Sequence, residues 1–132
     1  MKAADLRKCS LFEGLSHDDL EVVARWADEV DVPEGKHLVD EGRFAYEFFV
    51  IRGGTAQVRH GDEVVSELTT DDFFGEIGLL GGGGKRTATV VAASPMRLIV
   101  MSARDFSAMA DHMPAVAERL RAAFEARAGD AD

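Results

Sequence analysis

Between residues 30 and 101 the sequence breaks into short runs rich in Val, Ile, Phe and Thr, each ended by Gly, Pro or Asp, and this punctuation constrains the fold most. Strand-type runs fall at 37–39, 44–51, 55–59, 64–68, 87–92 and 96–101, with turns at Pro33-Glu34-Gly35, Gly53-Gly54 and His60-Gly61-Asp62. Six or more short strands joined by tight hairpins expose backbone edges unless the sheet closes on itself or a second layer covers it. A barrel or a sandwich is therefore required.

Helix signals flank these strands. Ser16, followed by Asp18 and Asp19, has the pattern of a cap with early acidic residues, and Leu20, Val23, Ala24 and Ala27 supply an apolar stripe, which predicts a helix over 17–28 after a shorter one over 3–9. At the other end Ser102 caps a helix running to about Asp111, with Phe106, Met109 and Ala110 on one face. Pro114 opens a last helix whose Val116, Leu120 and Phe124 recur every fourth residue. The 132 residues, 46% of them apolar, read as one domain: helical over 1–29, β over 30–101, helical again over 102–128.

Composition removes several function classes. No apolar stretch approaches ~18 residues and the first ten residues have no apolar signal-peptide centre, so neither membrane insertion nor export is expected. Cys9 is the only cysteine, which excludes an intrachain disulfide and a four-thiolate zinc site and fits a cytoplasmic setting. A formal net charge of −9 opposes binding to nucleic acid, though one buried Arg and a few amides can still hold a single phosphate.

The stretch that carries chemistry is Phe73-Phe74-Gly75-Glu76-Ile77-Gly78-Leu79-Leu80, then Gly81 to Gly84, then Lys85-Arg86-Thr87-Ala88-Thr89-Val90. Residues 76–80 suffice for one helical turn, whose first amides lack backbone partners and attract an anion. Arg86 opens the next strand ten residues later, so a folded-back loop brings a guanidinium to the same anion, which it can hold with two charge-assisted bonds. Glu76 would repel a phosphate at close range. Its partner should be a hydroxyl donor further along the ligand, such as a ribose 2′-hydroxyl.

F-G-E-I-G-L-L, a loop, then R-T-A-T-V resembles the phosphate-binding cassette of cyclic nucleotide-binding domains, the modules of catabolite activator proteins, protein kinase A regulatory subunits and cyclic nucleotide-gated channels. Pro33-Glu34-Gly35, the 44–51 strand and the two closing helices fall in the order that family uses, so the resemblance spans nearly the whole chain. It implies an eight-stranded jelly-roll-like β-barrel, with helices before it and two after. It also implies that Glu76 takes the ribose 2′-hydroxyl and Arg86 the cyclic phosphate, with Gly75 beside the ribose and Gly78 and Thr87 offering donors to phosphate oxygens. The final helix would lie over the base, where Leu120, Phe124 and Arg127 are the candidate contacts.

Each residue also has a plainer reading. Taken singly, Glu76 is a solvated loop carboxylate and Arg86 a surface strand residue; within the whole cassette both readings reverse. Phe73 and Phe74 read as core, the four glycines equally as a loose connection or a loop that orders on ligand, and Arg119, Arg121 and Arg127 as a solvated helix face. The four histidines lack metal-ligand spacing and no serine sits in a nucleophile-elbow context, so neither a metal site nor a catalytic set is expected. The expected function is a non-enzymatic sensor of cAMP or cGMP, needing no further cofactor, that moves its terminal helices on binding. Its output would lie in a protein effector, in self-association or in a larger chain. The alternative is a barrel without ligand that serves as an interaction or oligomerisation domain.

Overall fold

The computed structural model describes residues 1–80 and 84–130. In chain order the elements are α1 (Ala3–Leu6), a 3-10 turn over Ser10–Phe12, α2 (His17–Trp26), β1 (Ala27–Val32), β2 (His37–Val39), β3 (Glu47–Gly53), β4 (Ala56–His60), β5 (Glu63–Leu68), β6 (Phe73–Phe74), α3 (Glu76–Leu80), β7 (Thr89–Ala92), β8 (Met96–Ser102), α4 (Ala103–His112) and α5 (Pro114–Asp130). The strands form two antiparallel four-stranded sheets, ordered β1-β8-β3-β6 and β2-β7-β4-β5. This is a mainly β, eight-stranded jelly-roll-like fold with helices at both ends.

Both expected caps are formed. The Ser16 hydroxyl accepts from the Asp19 amide at 3.1 Å and the Ser102 hydroxyl from the Asp105 amide at 3.2 Å, each satisfying a donor that the helix start leaves open. Helix α2 ends at Trp26, two residues before the stripe predicts, because Ala27 already pairs with Met101 of β8. Strand β1 reads ADEVDV and has no apolar alternation to reveal it. Its acids are instead held by neighbours, Glu29 by Arg52 at 2.9 Å and Asp31 by Arg97 at 2.9 Å, which is one way to blunt an edge strand.

Three other boundaries differ from the sequence reading. The 44–51 run becomes strand only from Glu47; Phe44 and Tyr46 are strand-forming residues with no face to bury, and both stay exposed. Thr87 and Ala88 form a bend, so β7 begins at Thr89. The early helix stops at Leu6 and yields to the 3-10 turn, which leaves Cys9 buried between them. Of the four-glycine run, Gly84 is described and its carbonyl accepts from the Ala45 amide; Gly81, Gly82 and Gly83 lie outside the described residues.

Strand β3 joins two apolar clusters. Phe48 and Val50 point outward, where Ile99 and Met101 of β8 join Phe12, Leu20, Val23, Phe106, Met109 and Leu120 beneath the helices. Phe49 and Ile51 point inward and meet Phe74, Val90, Ala92 and Leu98 between the sheets. Alternation along one strand thus sends successive side chains to different cores.

Candidate functional site

The site is built where β6 ends. Phe74 stacks on Phe49 with centroids 4.7 Å apart, fixing the chain immediately before Gly75. Gly75 has φ +99°, and a Cβ there would lie 2.9 Å from Arg86 Nη1 and 3.0 Å from the Glu47 carbonyl oxygen. Only glycine permits both the turn and the close approach. The chain then enters α3 with Glu76 at its first position.

Arg86 closes this corner from the opposite strand and is 7% exposed. Its Nη1 donates to the Gly75 carbonyl at 3.1 Å and its Nη2 to the Glu47 carbonyl at 2.5 Å, while the guanidinium carbon lies 6.0 Å from the Phe49 ring centroid. Its backbone is equally engaged, donating to the Arg43 carbonyl and accepting from the Gly42 amide. Burial depresses the Arg86 pKa, opposed by Glu47 and then Glu76.

Glu76 is fully buried. Its Oε1 accepts from Arg127 Nη1 of α5 at 2.6 Å, whereas Oε2 is buried without a hydrogen-bond partner. Desolvation pushes the carboxyl pKa up, and Arg127 is the largest influence pulling it back. The Arg127 guanidinium also sits 5.2 Å from the centroid of the Phe73 ring. A residue near the last turn of the chain therefore closes over the first turn of α3.

These groups face a cavity of about 310 Å³. Gly75, Glu76, Arg86, Thr87 and Arg127 supply its polar wall, and Val39, Val58, Val65, Leu68 and Val90 its apolar one. The wall thus brings together a buried cation, a buried carboxylate with one oxygen that has no hydrogen-bond partner, and apolar strand surface, in a space suited to a small anionic ligand with a flat apolar part.

The other sequence candidates are placed differently. Gly78 lies within α3. Leu120 is 1% exposed and packs in the helical core under α5, away from the cavity wall, because the stripe that docks the helix needs it. Phe124 is half-buried and is not a wall residue either. Arg119 is not a solvated side chain: its Nη1 donates to the Leu11 carbonyl at 2.9 Å. Phe74 is core, as expected, while Phe73 is half-buried beneath Arg127. The sequence reading missed His60, which ends β4 instead of opening the turn, and with it Val39, Val58, Val65, Ser66, Leu68 and Val90 in the wall. The alternation Ala56, Val58, His60 along β4 was the available signal for the first of these.

A model of the cyclic nucleotide-binding domain matches residues 29–113, and the chain belongs to that family. Among curated relatives it is 33% identical over 118 residues to the cAMP-dependent protein kinase regulatory subunit of Mycosarcoma maydis, covering 83% of this chain and 22% of that protein. It is 34% identical over 120 residues to a cyclic nucleotide-gated potassium channel of Rhizobium etli, covering 90% of this chain and 33% of the channel. Among solved structures, the Thermus thermophilus catabolite activator protein superposes with a TM-score of 0.77 at 25% identity, over 92% of this chain and 59% of that one. The chain thus spans a third or less of the two curated relatives. Among the described residues no helix is long and apolar enough to cross a membrane.

Proposed function

We propose that this chain is a cyclic nucleotide sensor, taking cAMP or cGMP in the cavity and passing occupancy on to α5. The observation that carries the reading is Glu76 Oε2, a carboxylate oxygen buried beside the cavity with no donor. Leaving such an atom unpaired costs about 1–3 kcal/mol, and a ribose 2′-hydroxyl would recover it. Arg86 would take the cyclic phosphate: its two bonds to carbonyls use two of five N–H groups, and its side chain makes no other hydrogen bond among the described residues. The Thr87 hydroxyl and the amides around Gly78 would add donors, while Val58, Val65 and Leu68 offer apolar surface to the purine. The names of the relatives support a cyclic nucleotide as the ligand.

Coupling would run through Arg127, which donates to the same carboxylate that reads the ribose. A hydroxyl on Oε2 alters the charge Arg127 sees on Oε1, so ligand would favour or disfavour the docked α5 over one in which Arg127 has left Glu76, the condition for any switch. The signal would reach a protein effector or a second copy, in a cytoplasmic setting, without chemistry on the ligand. Nucleic acid is disfavoured as a partner by the charge of −9.

Calorimetric titration with cAMP, cGMP and AMP tests this. One cyclic nucleotide should bind with 1:1 stoichiometry and more tightly than AMP. Absence of heat with all three refutes the sensor and leaves an interaction or oligomerisation domain. That second reading is favoured by the engagement of Arg127 with Glu76 and of Arg86 with two carbonyls, which occupy part of both side chains' bonding capacity.

A further inference from the structure

At the rim of the cavity sits a histidine that the cyclic nucleotide reading does not use. His60 ends β4 on the face of Ala56 and Val58 and contributes to the cavity wall. Its Nδ1 lies 3.6 Å from Oε1 of Glu41, which follows β2; the two side chains are 41% and 46% exposed. Glu41 is fixed rather than free: its amide donates to the Thr89 hydroxyl at 3.0 Å and its Oε1 accepts from the Gly61 amide at 3.3 Å. The cavity wall therefore carries an imidazole, with a carboxylate just behind it that is not itself a wall residue.

We propose that His60 and Glu41 form a proton-sensitive gate that tightens cyclic nucleotide binding as pH falls, an inference that rests on the sensor reading above. An imidazole changes charge near pH 6.5, while a cyclic phosphodiester stays singly anionic throughout that range. With His60 neutral, the Glu41 carboxylate repels the incoming anion. With His60 protonated, the pair is neutral and the added cation faces the cavity that holds Arg86. Both changes have one sign. By linkage, a ligand that favours the protonated imidazole binds more tightly as pH falls.

The other ionisable groups around His60 act differently. Glu63 is its cross-strand partner on β5, where it can only add to the local negative charge. Arg59, next on β4, donates to Gln57, and Asp62 lies in the hairpin turn. Asp40, beside Glu41, is bonded to His37 at 2.8 Å, a second imidazole that must be controlled for. Arg86 and Arg127 stay charged. Glu76, its pKa raised by burial, would accept a proton in acid and then hold the ribose less well, which weakens binding as pH falls.

The test is titration of the whole chain with cAMP and cGMP between about pH 8 and about pH 5.5, in the parent and in His60→Ala, His37→Ala and Glu41→Gln. In the parent, affinity should rise about fivefold over this range, the modest size set by solvent screening at a half-exposed rim. His60→Ala should abolish the rise toward acid, His37→Ala should preserve it, and Glu41→Gln should tighten binding at the alkaline end. The same pH profile in the parent and in His60→Ala overturns the gate and leaves the sensor standing. No binding at any pH overturns both.

Discussion

Replacing Arg127 with Ala removes the one side-chain donor that the Glu76 carboxylate has among the described residues. A hydrogen bond to a charged group contributes about 1.5–3 kcal/mol, and breaking a fully buried pair costs about 3–5 kcal/mol. The lower range applies here: Arg127 is 32% exposed, so water can reach the vacated position even though Glu76 is sealed. A loss of about 2 kcal/mol follows, or roughly 6–10 °C in Tm for a domain of this size. The pH dependence makes the test specific. The folded-state pKa of Glu76 is raised above its ordinary value, so the folded form holds the proton longer than the unfolded one, and this group lowers stability as pH rises through that window. Removing Arg127 takes away the strongest pull in the other direction and extends the window upward. The variant's deficit should be full near neutral pH and shrink in acid, where a protonated Glu76 no longer needs the guanidinium. Differential scanning calorimetry at several pH values reads both. A Tm unchanged within about 1 °C, or a deficit independent of pH, would show that the pair contributes nothing to holding α5.

Arg86→Ala should weaken cyclic nucleotide binding about a hundredfold, roughly 3 kcal/mol, by calorimetry at constant salt, and equal affinities would remove this residue from the site. A 2′-deoxy cyclic nucleotide should bind the parent more weakly by about 1.5–3 kcal/mol, a gap that Glu76→Gln should narrow; identical affinities for the ribo and deoxy forms would count against the carboxylate's role. Gly75→Ala should lower stability by about 1–3 kcal/mol in urea unfolding, since its φ of +99° and the 2.9 Å approach to Arg86 Nη1 both exclude a methyl group. In hydrogen exchange, saturating ligand should protect the amides of about 77–88 and of about 114–126 together; protection of the first segment alone would separate α5 from the response.

The cassette was legible because its chemistry is local: a glycine that must turn, a carboxylate and an arginine ten residues apart, and a glycine run between them. The register by which Gly75, Glu47 and Arg86 meet is not local, and nothing in residues 44–47 announces that the Glu47 carbonyl will receive a guanidinium. Strand β1 was hidden because its solvent face is held by ion pairs instead of apolar alternation, and β6 because two residues, Phe73 and Phe74, are too few to show a period. Helical spacing made Leu120, Phe124 and Arg127 neighbours on α5, yet spacing cannot say which of them meets the barrel mouth. Packing decides that: Leu120 is consumed by the core, and the longer Arg127 reaches Glu76.

The double duty of β3 bears on how this domain can fail. Phe48 and Val50 belong to the cluster under the helices, Phe49 and Ile51 to the cluster between the sheets, and a hydrophobic core survives poorly when a strand in its wall is pulled away. Neither cluster can melt while the other persists, so helices and barrel should unfold in a single transition. Damage at the far end of α2 or α4 would then reach the ligand cavity without any change in the cavity's own residues, since β3 also supplies the carbonyl and the ring that hold Arg86. Under the proposed sensor function, lesions in the helical layer should accordingly behave as losses of ligand response, and a cyclic nucleotide added in excess should rescue them by mass action.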